Sequence, residues 1–100
     1  MWKSLVFHDL LLAFGIAQQK FLYAYSVRYS AAELDCSQAI TLNPTYTKAY
    51  SRRGAARFAL KKYDDAKKDF ERVLSLEPKN REAKQQLEKI EQVSNTFTHL

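Results

Sequence analysis

Between Thr47 and Asn80 the apolar positions recur twice at helical spacing, with a polar break between the two runs. Ala49, Tyr50, Gly54, Ala56 and Phe58 make the first set, and Tyr63, Ala66, Phe70, Val73, Leu74 and Leu76 make the second. Apolar residues returning at this period line one side of a helix, so the stretch predicts two antiparallel amphipathic helices with a turn near Lys61 to Tyr63. Asp64 and Asp65 fall in the first turn of the second helix, where carboxylates favour the positive end of the helix dipole. Pro78 ends that helix, because it has no amide hydrogen to continue the ladder. Gly54 and Ala66 are small enough for the two backbones to approach closely. A glycine inside a helix costs about 1 kcal/mol relative to alanine, so a packing reason is expected for it.

Sliding the chain against itself shows how the flanks relate to this hairpin. At a shift of 34 residues, Tyr29, Ala32, Asp35, Leu42 and Pro44 fall on Tyr63, Ala66, Asp69, Leu76 and Pro78, five identities in eighteen pairs. The same shift applied to residues 13–28 against 47–62 gives no identity. A second copy of the latter helix is therefore present over Ala31 to Leu42, with Ala32, Leu34 or Asp35, Cys36, Ala39 and Ile40 on its buried side, while the helix that should precede it has been replaced. Thr45 is placed to cap the helix that follows. Beyond Pro78, Asn80 can cap a last helix to Gln92 in which Ala83, Leu87 and Ile90 form a narrow apolar stripe, as suits an element that seals an array. The tail from Ser94 to Leu100 has no period and is expected to fray.

The first 28 residues are strongly apolar. Leu10 to Ala17 reads LLLAFGIA behind a single Lys3, and Gly15 and Ala17 stand at a spacing a signal peptidase accepts, but His8 and Asp9 count against a leader. The run falls short of the roughly 18 residues of a membrane span, and Gln18, Gln19 and Lys20 close it. The expectation is a helix whose apolar side packs on the 30–42 helix. The alternative is a small secreted or membrane-associated protein directed by this run. The chain thus divides into an atypical segment over 1–28, a repeat region with a capping helix over 29–93 and a tail over 94–100.

Composition narrows the chemistry. Cys36 is the only cysteine, so no intrachain disulfide can form; it stands on an apolar helix side as a small core group, and a reducing compartment fits. His8 and His99 lie at opposite ends of the chain, and only two glycines occur, so neither a metal site nor a phosphate loop nor an activated nucleophile is expected. No catalysis and no cofactor follow from this. Sixteen Lys and Arg against eleven Asp and Glu give a net charge of +5, which favours acidic partners. Arg53, Lys61, Lys62, Lys67 and Lys68 form a second basic group, its four lysines around the hairpin turn. They are interleaved with Asp64, Asp65 and Asp69 and carry no stacking aromatics, so a basic nucleic-acid-binding fragment is kept only as an alternative.

The aromatic Tyr50, the small Gly54 and Ala66 and the closing Pro78 resemble the tetratricopeptide repeat family, and the resemblance covers residues 29–93. It implies an all-α fold of about one and a half helical hairpins plus a capping helix, with an atypical N-terminal helix, a truncated form of such an array. It also implies a cytoplasmic or nuclear interaction module of the co-chaperone or scaffold type. In chaperone-binding members, a Lys and an Arg in a context like KAYSRR bind the acidic C-terminal tail of a heat-shock protein, and here these are Lys48 and Arg52. Ser51, Ala55, Phe58 and Ala59 would supply the groove wall. The family's clamp draws further ligands from neighbouring repeats, and Gln18 stands where one Asn would be. A partial clamp implies weak or lost binding of the chaperone tail. The other implied partners are further subunits of a chaperone-adaptor complex, with neither nucleic acid nor membrane expected. Without the resemblance, Lys48 and Arg52 read equally as a solvated helix face.

Overall fold

The computed structural model describes residues 24–98, with side chains described through residue 95. Among these residues the chain is all-α: α1 over 24–42, α2 over Thr47–Ala59, α3 over Tyr63–Leu76 and α4 over Arg81–Thr98. Helix α2 packs on α3, and α3 on α4. The helix expected over the first 28 residues, packed on α1, falls for residues 1–23 outside the described residues. Helix α1 is longer than the expected Ala31–Leu42: it is already formed at residue 24 and runs through 28 and 29 unbroken, since AYSVRYS contains neither Pro nor Gly to stop it. Likewise α4 continues to Thr98, taking in most of the tail expected to fray, where again no breaker occurs.

The connections follow from short polar contacts. After α1, the amide of Asn43 donates to the Ala39 carbonyl at 2.9 Å, and Asn43 Oδ1 accepts from the Thr45 amide at 3.3 Å and its hydroxyl at 3.0 Å. Thr45 is therefore committed to Asn43 and is not the cap expected for α2, which starts behind Tyr46 without a side-chain cap. Between α2 and α3 the amide of Lys62 reaches the Arg57 carbonyl at 2.8 Å, and that of Lys61 reaches Phe58 at 3.0 Å. This double closure sets Lys61 in the left-handed region, with φ of 64°, a conformation usually left to glycine. The turn consequently falls at Leu60 to Lys62, one residue earlier than expected, and Tyr63 already belongs to α3. Asn80 caps α4 as expected, its Oδ1 accepting from the Ala83 amide at 2.9 Å.

The core consists of Tyr50, Ala66, Phe70, Val73, Ala83 and Ile90, with Ile40, Phe58, Tyr63, Leu74, Leu76 and Leu87 packed against it. At its centre is the approach anticipated from Gly54. A Cβ on Gly54 would lie 2.9 Å from both Cε2 and Cζ of Phe70, closer than real Cβ atoms come, and Phe70 is itself buried. Cys36 is buried, and burial raises its pKa, in keeping with a small core group. Neither alternative for the buried side of α1 holds, since Leu34 and Asp35 are both exposed, and Leu42 is 87% exposed.

Among the described residues one charged residue lies within the packed interior. Asp69 is 2% exposed. Its Oδ1 accepts from Arg53 Nη2 at 2.7 Å and its Oδ2 from Arg53 Nε at 3.0 Å, a fork that matches guanidinium to carboxylate. Arg57 Nη1 adds a third contact to Oδ2 at 3.0 Å. The same Arg57 donates through Nε to Glu33 of α1 at 3.3 Å, Lys62 Nζ meets Glu33 at 3.0 Å, and Arg53 Nη1 donates to Ser37 Oγ at 3.2 Å. These contacts tie α1, α2 and α3 together. They also correct the expected basic group: Arg53 and Lys62 are engaged with carboxylates and do not belong to an open basic face. The Asp69 hydrogen bonds raise the pKa of Arg53, so its charge is secure at any ordinary pH.

Replacing Gly54 by Leu should destabilise the protein by about 1–3 kcal/mol through overpacking against Phe70. Denaturant unfolding of Gly54→Leu, of Phe70→Leu and of the pair checks this. The double variant should lose less than the sum of the singles, because the smaller residue at 70 makes room for the larger one at 54. An unchanged midpoint in Gly54→Leu would contradict the close approach.

Candidate functional site

The first turns of α2 and the α3–α4 connection meet in a shallow recess. Lys48, Ser51 and Arg52 approach it from α2, and Glu77, Asn80 and Glu82 from the other side. Lys48 and Arg52 are four positions apart, so a helix of 3.6 residues per turn presents them one above the other. Both are exposed, and among the described residues neither makes an ion pair or hydrogen bond. Two free donors one turn apart can meet the two oxygens of one carboxylate, or two neighbouring carboxylates.

The cations at the next positions differ sharply. Arg53 and Arg57 turn to the opposite side of α2 and are held by Asp69 and Glu33. Tyr50 sits between the two behaviours: its hydroxyl donates to the Pro44 carbonyl at 2.9 Å, and its ring lies 5.7 Å from the Arg53 guanidinium carbon and 5.8 Å from that of Arg72. The ring and hydroxyl thus anchor the start of α2, from which Lys48 and Arg52 project.

The remaining predicted groove residues do not act together. Ser51 borders the recess with Lys48 and Arg52. Ala55 instead borders a second, mainly apolar recess between α1 and α2, with Tyr29, Ala32 and Cys36, and Arg52 stands at the edge of both. Phe58 packs against the core and meets the Tyr63 ring edge-on, with centroids 5.4 Å apart, and lines neither recess. Ala59 is half-buried beside it and also lines neither.

Sequence reasoning missed Glu77, Asn80 and Glu82 as the facing side of the recess. Asn80 Nδ2 donates to Glu77 Oε2 at 3.0 Å, so one of the two carboxylates opposite Lys48 and Arg52 already has a partner. It also missed the interior role of Asp69. A signal was present: Asp35 and Asp69 are an acidic identity in the 34-residue repeat among identities that are otherwise apolar, aromatic or proline. Among the described residues there is no cluster of His, Cys, Asp and Glu fit to hold a metal ion, and no helix long and apolar enough to cross a membrane.

Residues 47–80, the hairpin closed by Gly54 against the buried Phe70 ring and ended by Pro78, match the tetratricopeptide repeat family. The chain carries such a repeat, as its residues and its fold both indicate. It is 63% identical over 65 residues to RNA polymerase II-associated protein 3 of Homo sapiens, a match that takes in 65% of this chain and 10% of that protein. The chain therefore spans about a tenth of the length of this relative. The first TPR of Spaghetti (RPAP3), solved bound to the HSP90 peptide SRMEEVD, superposes with a TM-score of 0.66 at 61% identity, covering 67% of this chain and 53% of that one. The second TPR domain of human RPAP3, solved in complex with the HSP70 peptide SGPTIEEVD, does so with a TM-score of 0.61 at 54% identity, covering 63% and 52%.

The division of α2 into a free and an engaged side predicts opposite mutational behaviour. Lys48→Ala and Arg52→Ala should each change unfolding free energy by less than about 0.5 kcal/mol. Asp69→Asn should lower it by about 1–3 kcal/mol, since two guanidinium groups would face a neutral amide, with the loss moderated by their partial exposure. Chemical denaturation of the three variants checks this, and equal losses in all three would contradict it.

Proposed function

We propose that this chain is a protein-interaction module of the co-chaperone type that binds the acidic C-terminal peptides of heat-shock chaperones through a partial clamp of Lys48 and Arg52. The observation that carries the reading is that these two cations are exposed, unpaired and one turn apart beside a recess, while Arg53 and Arg57 on the same helix are held by carboxylates. The peptides bound by the similar domains, SRMEEVD and SGPTIEEVD, both end in Glu-Glu-Val-Asp, whose last residue carries a side-chain carboxylate beside the terminal one. The lysine ammonium and arginine guanidinium supply charge-assisted hydrogen bonds to such a terminus, and Ser51 adds a hydroxyl at the recess edge.

In this reading the working unit is residues 29–93, with α4 sealing the hairpin, and the protein acts in the cytoplasm or nucleus alongside other subunits of a chaperone-adaptor assembly. Affinity is low, because Glu77 and Glu82 share the recess and only two clamp cations are present. Each absent charge-assisted bond removes roughly 1.5–3 kcal/mol.

Isothermal titration with SRMEEVD and with its C-terminally amidated form tests the proposal. The free-acid peptide should bind with a dissociation constant of about a millimolar, and amidation should weaken it further by removing one carboxylate. Micromolar binding that survives both Lys48→Ala and Arg52→Ala would refute the clamp and place the peptide elsewhere.

A further inference from the structure

Between α3 and α4 lies a groove of about 480 Å³ that shares no residue with the Lys48 and Arg52 recess. Asp64, Lys67 and Glu71 line it from α3, and Leu87, Ile90 and Glu91 from α4. On each helix these positions recur at three- and four-residue spacing, so the groove follows the two helices for about two turns, roughly 10 Å. Leu87, half-buried, gives the groove its apolar floor, above Ile90, which is buried in the core. Asp64, Lys67, Glu71 and Glu91 are exposed, and among the described residues none of the four makes an ion pair or hydrogen bond. Three carboxylates against one ammonium make this an acidic site on a chain of net charge +5.

From this we infer that the α3–α4 groove docks a basic amphipathic helix of a partner protein, an apolar side chain of that helix on Leu87 and its Lys or Arg side chains on Asp64, Glu71 and Glu91. A groove between two helices accepts the i, i+3, i+4 and i+7 ridge of a third, and the flanking carboxylates select a basic sequence over an acidic one. A second copy of this chain fits less well, because a two-fold contact through the groove would set its carboxylates against one another. Nucleic acid is excluded by the same sign of charge. The two sites therefore have opposite preferences: acidic peptide ends at α2, a basic helix at α3–α4.

The test uses a designed, fluorescently labelled peptide with leucines at i, i+3, i+4 and i+7 and lysines on its other faces, a scrambled peptide of the same composition, and a glutamate counterpart. Anisotropy titrations should show binding of the designed peptide alone, weakened about tenfold or more in Glu71→Lys/Glu91→Lys and in Leu87→Gln. Binding should be unchanged in Lys79→Ala, an exposed lysine outside both sites. Both glutamates are exposed, and the melting curve of each variant verifies that it folds. Absence of binding, equal binding of the scrambled peptide, or indifference to Glu71→Lys/Glu91→Lys would overturn the inference. So would a concentration-dependent dimer in sedimentation that the double variant abolishes, which would assign the groove to a second copy.

Discussion

The structure depends on how closely α2 can approach α3. That distance is set at two consecutive positions of each helix, both pairs sixteen residues apart: Gly54 lies against the Phe70 ring, and Arg53 forks onto Asp69. The first pair removes a side chain so that an aromatic ring can fill the space, and the second satisfies a buried carboxylate with a guanidinium. Each needs the other. Without the glycine the helices would separate and the fork would lengthen, and without the fork a carboxylate 2% exposed would lose its partner. Arg57 and Glu33 then carry the same contact outward to α1.

This geometry also decides which cations are available for binding. A helix of alternating Lys, Arg and small residues could present all its charges to solvent. Here the register that places Gly54 on Phe70 turns Arg53 and Arg57 inward and leaves Lys48 and Arg52 outward, so the packing constraint and the proposed binding face have one cause. The Tyr50 hydroxyl on Pro44 fixes the start of the helix from which the free pair projects. On the far side of α3 a different pair of stripes forms an acidic groove, so the hairpin separates two surfaces of opposite charge preference.

Much of the fold was legible from spacing alone. The two apolar runs, the glycine, the terminating Pro78 and the Asn80 cap each have a local physical signature, and the structure places them as those signatures require. The failures are also local. Lys61 has no intrinsic preference for positive φ, so the tight closure of α2 and the one-residue shift of the turn left no trace in composition. Thr45 looked like a cap because its competitor, Asn43, is recognised only from the turn it forms. Asp69 and Arg53 read as surface charges because most such residues are solvated, and only the repeat identity with Asp35 hinted otherwise. For the site, the Lys48 and Arg52 spacing was readable, whereas Phe58 was assigned to a groove wall although its period equally served the core.

Helix α2 leaves Lys48 and Arg52 unpaired, which we propose serves an acidic peptide end, while Arg53 and Arg57 are held by Asp69 and Glu33. The most direct measurement follows the arginine Nε–Hε signals of the ¹⁵N-labelled protein by NMR during titration with SRMEEVD. The Arg52 signal should move with peptide concentration, while those of Arg53 and Arg57 stay fixed by Asp69 and Glu33. Movement of Arg53 and Arg57 with Arg52 unaffected would contradict the account.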